Sequence, residues 1–571
     1  MKRFSRALVL GFALALLAPA SALAHARLEA TSPPQGATVK KEPAAVVFTF
    51  DEPVEGNFGA VRVYDSKGDR VDEGDAFHPG GDGPKLGVHL EPGLPDGSYT
   101  ATYRVVSADG HIVSSGYVFS IGKAGRAPTQ TVSELLGGQG SGPVTETAYG
   151  IARGIEYLAI ALGFGGLAFL LLVWRPALAG LSSGGTGELE RRFLGRLRPV
   201  LWVAAALGAL GAAAGIVLEG AEAAGVSGFA ALKWHIVEET LGTHFGTIWG
   251  WAFVAWVVFA TALPLLLGRR RCRIALAVPL GYLVLAPVLA GHASTQSPVG
   301  LNFPVNVVHV GAMTVWLGGL ATLLLVLPAA TRALEPADRS RLLAANLSRF
   351  SQLALIMVGA ILLTGLIQAY VYVRHLDDLV STGYGRAVLA KFLLLLVVIG
   401  FAAFNRRRSV PALRRIAESG ESPGRAGVML RRALRAEVAL LLVVIGVTAA
   451  LASYAPPVSA QGGPFSGEAT LGPTQLEISV DPARVGENQI HVYLFDSKTG
   501  AQYTKGKELK VTATLPDKEI GPLTLEPQVA GPGHYIVSDA LLNAPGSWRL
   551  DFTLRVSEFE QFEKSIEVGI G

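Results

Sequence analysis

Residues 151–174 read IARGIEYLAIALGFGGLAFLLLVW, an apolar run long enough to cross a bilayer as a helix. Further apolar segments follow at 200–218, 247–267, 274–291, 304–327, 351–373, 387–404 and 435–453. Half of the 571-residue chain is hydrophobic, which excludes a single compact soluble domain. The pattern predicts a multidomain membrane protein with an eight-helix transmembrane bundle over residues 148–455.

Arginines distinguish the two sides of this membrane domain. They cluster after the first, third, fifth and seventh segments, with nine between Arg406 and Arg435, while the alternate loops hold acidic pairs such as Glu238–Glu239 and Asp377–Asp378. Arginine-rich loops stay in the cytoplasm, so both ends of the chain are expected outside a cell (inner or cytoplasmic) membrane, with the helices in its lipid bilayer. Arginines spread in this way between apolar segments indicate membrane topology and no nucleic-acid partner.

The first 24 residues are predicted to be a signal peptide. Basic residues precede an apolar stretch from Ala7 to Leu17, and Ala22 and Ala24 supply the small residues that a signal peptidase requires. Cleavage after Ala24 would make His25 the amino terminus of the mature protein.

The flanking regions have the pattern of β-structure. From 25 to 122, short runs such as 45–50 and 112–121 alternate with Pro and Gly, which predicts an all-β sandwich of immunoglobulin or cupredoxin-like type. A linker rich in Gly, Ser and Pro follows at 123–147. Residues 456–571 again show strand-like runs and predict a second extracytoplasmic β-sandwich.

A metal site is predicted at the amino terminus. The chain has one cysteine, Cys272, so a thiolate cluster is excluded and a metal must be held by other donors. A cleaved His25 offers an α-amine and an imidazole, and Asp109 and His111 share the segment Ser107-Ala108-Asp109-Gly110-His111. Such nitrogen and oxygen donors suit Cu(II). Without His25, the same segment fits a plain hairpin turn better.

The first domain resembles the CopC copper resistance family. The resemblance is carried by His25-Ala26-Arg27, Ser32-Pro33-Pro34-Gln35-Gly36-Ala37, Phe48-Thr49-Phe50-Asp51-Glu52-Pro53-Val54 and Val106-Ser107-Ala108-Asp109-Gly110-His111. It implies Cu(II) binding by His25, Asp109 and His111, with Asp51 or Glu52 supporting the amino terminus. The domain has no methionine, so a methionine-rich Cu(I) site is not expected; His78 and His89 are interpreted as surface residues.

Ionisable and soft side chains within the apolar segments are candidates for a copper path. His292 ends the fourth segment, while His309 and Met313 lie one helical turn apart in the fifth. Imidazole and thioether donors together suit Cu(I). Core packing for Met313 and a hydrogen bond between helices for His309 are the alternative interpretations. His235 and His244 fit an interfacial helix better than a copper relay, and His491 and His534 have no partner at ligand spacing along the chain.

The membrane segment resembles the CopD family. The stretch from Val308 to Gly319, together with Gly383-Tyr384-Gly385-Arg386 leading into Lys391, carries this resemblance over most of 150–455. A CopC-like part joined to a CopD-like part resembles the YcnJ-type copper transport proteins, and residues 456–571 resemble their YtkA-like domain.

Copper capture outside the membrane followed by import is the function that these features predict, with a copper chaperone or reductase as an external partner. No Walker motif is present, and no enzymatic activity is expected. Two alternatives are extracytoplasmic sequestration or resistance without transport, and a membrane oxidoreductase with His292 and His309 as haem or copper ligands.

Overall fold

A computed structural model gives the architecture of the chain. It describes residues 26, 28–35, 37–56, 58–108, 110, 112–122, 135–136, 141–179, 186–269, 272–296, 298–373, 376–419, 424–452, 454, 465–481, 483–498, 502–531 and 533–570. These form two compact units. One holds the long helices, and the other holds both β-regions together with residues 221–231.

The amino-terminal region is a β-sandwich, as predicted. Its strands are β1 (Leu28–Ser32), β2 (Thr38–Val39), β3 (Ala45–Phe50), β4 (Val54–Glu55), β5 (Val61–Tyr64), β6 (Lys85–His89), β7 (Gly97–Ser107) and β8 (Ile112–Ile121). One sheet has the order β1-β3-β6, and the other has the order β2-β8-β7-β4, with β5 also paired to β7. Aromatic rings fill the core: Phe48 and Phe50 meet Tyr103 edge to face at centroid distances of 5.0 and 5.2 Å.

Seven helices in the described part of the chain are long and apolar enough to cross a membrane. With the two shorter helices α3 and α5, the helical elements are α1 (Pro143–Leu178), α2 (Thr186–Ala224), α3 (Trp234–Gly242), α4 (His244–Leu266), α5 (Arg273–Leu289), α6 (Val299–Leu325), α7 (Pro336–Tyr372), α8 (Gly383–Ser419) and α9 (Gly424–Leu451). The predicted fourth span corresponds to α5, which is shorter than the other seven and lies at the lower limit for a bilayer-spanning helix. The count of eight crossings therefore stays a prediction.

Several helices extend beyond their apolar segments. Helix α2 begins at Thr186, well before the predicted start at 200, and so takes in arginines that were placed in a loop. Glu188 receives hydrogen bonds from Arg191 and Arg192 at 2.6 and 2.9 Å, at i,i+3 and i,i+4 spacing. Such pairs support a helix that projects out of the apolar region.

Two glycines allow α1 and α6 to pack backbone against backbone. A β-carbon on Gly165 would lie 2.3 Å from the Thr314 carbonyl oxygen, and one on Gly318 would lie 1.9 Å from that of Ala161. The contact falls where α1 contains a π-turn, Ala161–Gly165. Gly318, which belongs to the stretch that resembles CopD, is thus explained by close packing.

The carboxy-terminal region, here called the tail, consists of two β-sheets. Its strands are β9 (Phe465–Leu471), β10 (Thr474–Asp481), β11 (Gly486–Asp496), β12 (Glu508–Leu515), β13 (Ile520–Leu525), β14 (Gln528–Gly531), β15 (His534–Leu542), β16 (Gly546–Arg555) and β17 (Gln561–Ile570). The sheet orders are β14-β15-β11-β10-β9 and β13-β12-β16-β17. Side chains from both sheets, among them Ile478, Val492 and Trp548, form one buried core.

Candidate metal site

His25, Asp109 and His111, the three predicted Cu(II) ligands, lie outside the described residues. The segments that flank them in the chain are described. The start of β1 and the turn between β7 and β8 meet the end of β3 at one end of the first sandwich.

The start of β1 is fixed against the end of β3. Ala26 and Leu28 are buried in the sandwich core, and Leu28 pairs with Phe50 across the two strands. Ala26 and Leu28 are therefore anchored beside the end of β3, where Asp51 and Glu52 follow Phe50 directly. Both of these acidic residues are half-buried.

The β7–β8 turn is tied to the same place. The Glu52 carboxylate accepts a hydrogen bond from the Ala108 backbone N–H at 3.2 Å, and β4 pairs Val54 with Ser107. Within the turn, the Gly110 N–H donates to the Ser107 carbonyl at 2.9 Å, and Gly110 has a φ of +83°, which favours glycine. Glu52 thus contacts the turn that carries Asp109 and His111. The sequence predicted that Asp51 or Glu52 supports the amino terminus, and it did not predict this contact with the turn.

A further group of candidate ligands lies on the surface of this sandwich. Glu73, Asp75 and His89 place possible ligand atoms within 4.8 Å of one another. The His89 ring lies 2.6 Å from an Asp75 oxygen through Nδ1 and stacks on Phe77. His78 contacts the Lys85 carbonyl at 2.6 Å. Both histidines therefore have local partners at the surface, as the sequence predicts.

In the membrane domain, His309 on α6 contacts α7. Its Nδ1 lies 2.9 Å from the Thr364 hydroxyl, and that hydroxyl donates to the Ala360 carbonyl at 2.6 Å. Because the hydroxyl proton is used in this way, the Thr364 oxygen accepts a hydrogen bond from the Nδ1–H of His309. The second ring nitrogen, Nε2, then carries a lone pair that can bind a metal. The predicted hydrogen bond between helices and a ligand role are therefore compatible.

His292 contacts the same helix further along. Its ring centroid lies 6.3 Å from that of Tyr372, and Tyr372 lies 6.4 Å from Tyr384. Thr364 and Tyr372 are separated by about 12 Å along α7. His309 and His292 thus contact α7 at points about two helical turns apart.

The other predicted membrane residues lie close to this helix pair. Met313 is half-buried on α6, one turn after His309, and packs against the membrane core. Lys391 on α8 interacts electrostatically with His309. In the Gly383-Tyr384-Gly385-Arg386 motif, the Thr382 hydroxyl caps α8 by accepting from the Gly385 N–H at 2.9 Å. A β-carbon on Gly385 would lie 1.9 Å from the Asp378 carbonyl, so this position requires glycine.

A buried carboxylate in the membrane domain is absent from the residues predicted from the sequence. Glu156 on α1 is 1% exposed, and one of its oxygens accepts a hydrogen bond from the Trp256 indole at 2.7 Å. The other oxygen is buried without a hydrogen-bond partner among the described residues. Its position within an apolar segment was a signal that the analysis could have used.

His491 and His534, which have no partner at ligand spacing along the chain, are brought together by the fold. They are each other's partner, with 3.1 Å between a nitrogen of one ring and a nitrogen of the other. The residues are 43 positions apart in the chain, and antiparallel pairing of β11 with β15 brings them together. Spacing along the sequence carries no sign of this contact.

Comparison with known families finds three matches along the chain. The family described as CopC domain matches residues 28–122. The families described as Copper resistance protein D-like, N-terminal domain, and Copper resistance protein D match residues 144–300 and 344–451.

Individual relatives match large parts of the chain. It is 30% identical over 534 residues to the copper transport protein CutJ of Bacillus subtilis, covering 88% of this chain and 90% of that protein. It is 26% identical to copper resistance protein D of Pseudomonas syringae pv. tomato, covering 53% of this chain and 98% of that protein. The crystal structure of CopC from Methylosinus trichosporium OB3b matches with 34% identity and a TM-score of 0.16, covering 17% of this chain and 93% of that one.

Proposed function

This chain belongs to the family of copper transport proteins that join a CopC domain to a copper resistance protein D domain, and on that premise we propose that it captures Cu(II) outside the membrane and passes copper into the cytoplasm. The observation that carries the capture step is the hydrogen bond from Ala108 to Glu52 beside the Leu28–Phe50 pair. It ties the ligand-bearing turn to the strand end beside which the mature amino terminus begins.

Capture uses four donors. The α-amine and imidazole of His25 close one chelate ring on the ion, and Asp109 and His111 complete a tetragonal set. Ligands must be free of protons, so capture weakens as pH falls and the amine and imidazoles become protonated. Glu52 acts by holding the turn.

Passage uses the donors along α6 and α7. His292 lies nearer the outer end, and His309 and Met313 follow further into the membrane. Imidazole and thioether donors suit Cu(I) better than Cu(II), so an external reductase or a chaperone that delivers Cu(I) would supply the reduced ion.

The import direction depends on topology. Both β-regions belong to one compact unit, which supports the proposal that they share a side of the membrane and that the number of crossings is even. Helix α5 would supply the eighth crossing. The arginine-rich segments would then face the cytoplasm, and both β-regions would lie outside.

Copper accumulation in cells tests this function. A strain lacking the protein would be complemented under copper limitation with the intact chain or with His25→Ala, His111→Ala or His309→Ala. Val308→Ala, which changes an exposed neighbour of His309 on α6, is the matched control. We expect cytosolic copper to rise with the intact chain and the control and to stay at the background level with the three histidine variants.

Two other outcomes would contradict import. If cytosolic copper stays constant or falls while surface-bound copper rises, the protein sequesters copper outside. If His309→Ala transports as well as Val308→Ala, the membrane path does not use this imidazole.

A further inference from the structure

The paired histidines of the tail lie on a face of the β-sheet that does not form the tail core. Tyr493 of β11 is directly opposite His534 of β15, and His491 is opposite Ile536, so the two histidines are diagonal neighbours. The core uses the alternate residues of β11, among them Ile490 and Val492. Packing of the tail core therefore does not account for the imidazoles.

The pair is nonetheless enclosed. His491 is 1% exposed and His534 is 4% exposed. Their rings are nearly parallel, with centroids 5.3 Å apart, and Tyr493 stacks on His534 at 4.3 Å. Two buried imidazoles held rigidly by ring stacking form a preorganised pair of nitrogen donors.

Burial disfavours the protonated form of both rings. Burial lowers the pKa of His491 to about 4. Burial, and next the charge that His491 would carry, lower the pKa of His534 well below its usual range. A neutral imidazole keeps one nitrogen lone pair, which is the form that binds metals.

The hydrogen bonds fix which nitrogens carry protons. His491 donates from Nε2 to the Gln489 carbonyl oxygen at 3.2 Å, so its Nδ1 is the acceptor that faces His534. His534 Nε2 therefore carries the shared proton in the resting pair. Moving this proton to Nδ1 of the same ring leaves His534 neutral, with a lone pair on each of the two facing nitrogens.

The separation of the nitrogens suits a metal ion. At a metal–nitrogen distance of about 2.0 Å, two nitrogens 3.1 Å apart make an angle of about 100° at the metal, close to tetrahedral. A cavity of about 10 Å³ adjoins His491 and Tyr493, and Glu477, Ser479, Gln35 and Tyr117 also line it. This is room for one water-sized ligand, which could complete the coordination.

We propose that His491 and His534 form a copper site in the tail, separate from the one at the amino terminus. The choice of copper over another metal that binds imidazole rests on the proposed function. The inference that the two imidazoles bind a metal rests on their geometry alone. Neither histidine is within the stretches that carry the family resemblances of the first two domains.

Copper stoichiometry of the purified full chain tests this site. The chain with His25→Ala would be titrated with Cu(I) under reducing conditions, and separately with Cu(II) and Zn(II), against a coloured chelator. Adding His491→Gln and His534→Gln should remove one bound copper per chain, while adding His78→Gln, which changes an imidazole bonded to the Lys85 carbonyl, should remove none. Equal copper binding by the folded double variant and the control would overturn the proposal, and a site that takes zinc but not copper would overturn the choice of metal.

A measurement on the unaltered chain avoids dependence on how the variants fold. Ascorbate and oxygen with bound copper oxidise histidines at the metal, and mass spectrometry locates them. Oxidation of His491 or His534 would support the site, and oxidation confined to other histidines would contradict it. Because neither assay measures transport, the tail site can hold even if import fails.

Discussion

Glu52 contacts the backbone of the turn that carries the predicted ligands Asp109 and His111. It accepts a hydrogen bond from the Ala108 N–H, one residue before the predicted ligand Asp109. Losing this bond removes a constraint on the turn while leaving the aromatic core around Phe48 in place.

We expect Glu52→Ala to weaken Cu(II) binding about tenfold, because a charged hydrogen bond to the backbone contributes about 1–2 kcal/mol. Competition titration of the full chain with Cu(II) measures this. Glu42→Ala is the matched control, since Glu42 accepts from the Gly93 and Leu94 N–H groups at 3.1 and 3.2 Å in the same domain. Equal affinities of the two variants would show that Glu52 does not shape the site.

The paired histidines predict an acid sensitivity of the tail. A histidine whose folded-state pKa is lowered stabilises the fold above its unfolded pKa of about 6.5, and this contribution is lost as pH falls toward its folded value, about 4 for His491. Below pH 6.5 the two histidines bind protons in the unfolded chain but stay unprotonated in the folded tail, so protonation favours unfolding.

We therefore expect unfolding of the tail, followed by amide hydrogen exchange in β11 and β15, to occur at lower denaturant as pH falls from 6.5 to 4, with a loss of up to about 1.4 kcal/mol of unfolding free energy per pH unit for each histidine. The His491→Gln, His534→Gln chain should lack most of this slope. The same slope in both chains would assign the acid sensitivity to other groups.

Close packing of helices in the membrane domain depends on glycines that leave no β-carbon between two backbones. On α6, Gly318 approaches the Ala161 carbonyl of α1 so closely that a methyl group has no room. Gly311, two turns earlier on the same helix, has nothing within 4 Å of an added β-carbon.

Gly318→Ala should destabilise the membrane domain by about 1–3 kcal/mol, because the two backbones must move apart. Gly311→Ala should leave stability unchanged or raise it slightly, since alanine favours the helix. Thermal unfolding of the purified chain in detergent compares the two. If both variants unfold at the same temperature, the close contact between α1 and α6 does not contribute to stability.

At the scale of the whole molecule, function depends on which side each region faces. Cys272 is the single cysteine of the chain, it is exposed, and it lies among the arginines that follow α4. It therefore reports on the side that the positive-inside rule assigns to the cytoplasm.

A maleimide that cannot cross membranes should label Cys272 only after the cells are permeabilised. In a variant that combines Cys272→Ser with Ser557→Cys, the introduced cysteine lies in the tail. It should be labelled in intact cells. Labelling of Cys272 in intact cells would contradict the proposed orientation, and with it the proposed direction of import.

The sequence by itself determined the elements. Strands β3 and β8 begin and end where the sequence predicts, at 45–50 and 112–121, because alternating apolar residues and turn formers act locally. The apolar segments likewise predict the membrane domain, because transfer of a helix into lipid depends on its own composition. Helix ends were less predictable: α2 continues through charged residues that pair along the helix.

Only the tertiary structure decided which elements meet. The link from Glu52 to Ala108, the contact of His309 with Thr364 and the pairing of His491 with His534 each join residues at least 43 positions apart. Such contacts are set by strand register and helix packing, which depend on the shapes of all the surfaces involved. Local hydrophobic patterns hold no information about them, which is why the paired histidines of the tail have no signature in the sequence.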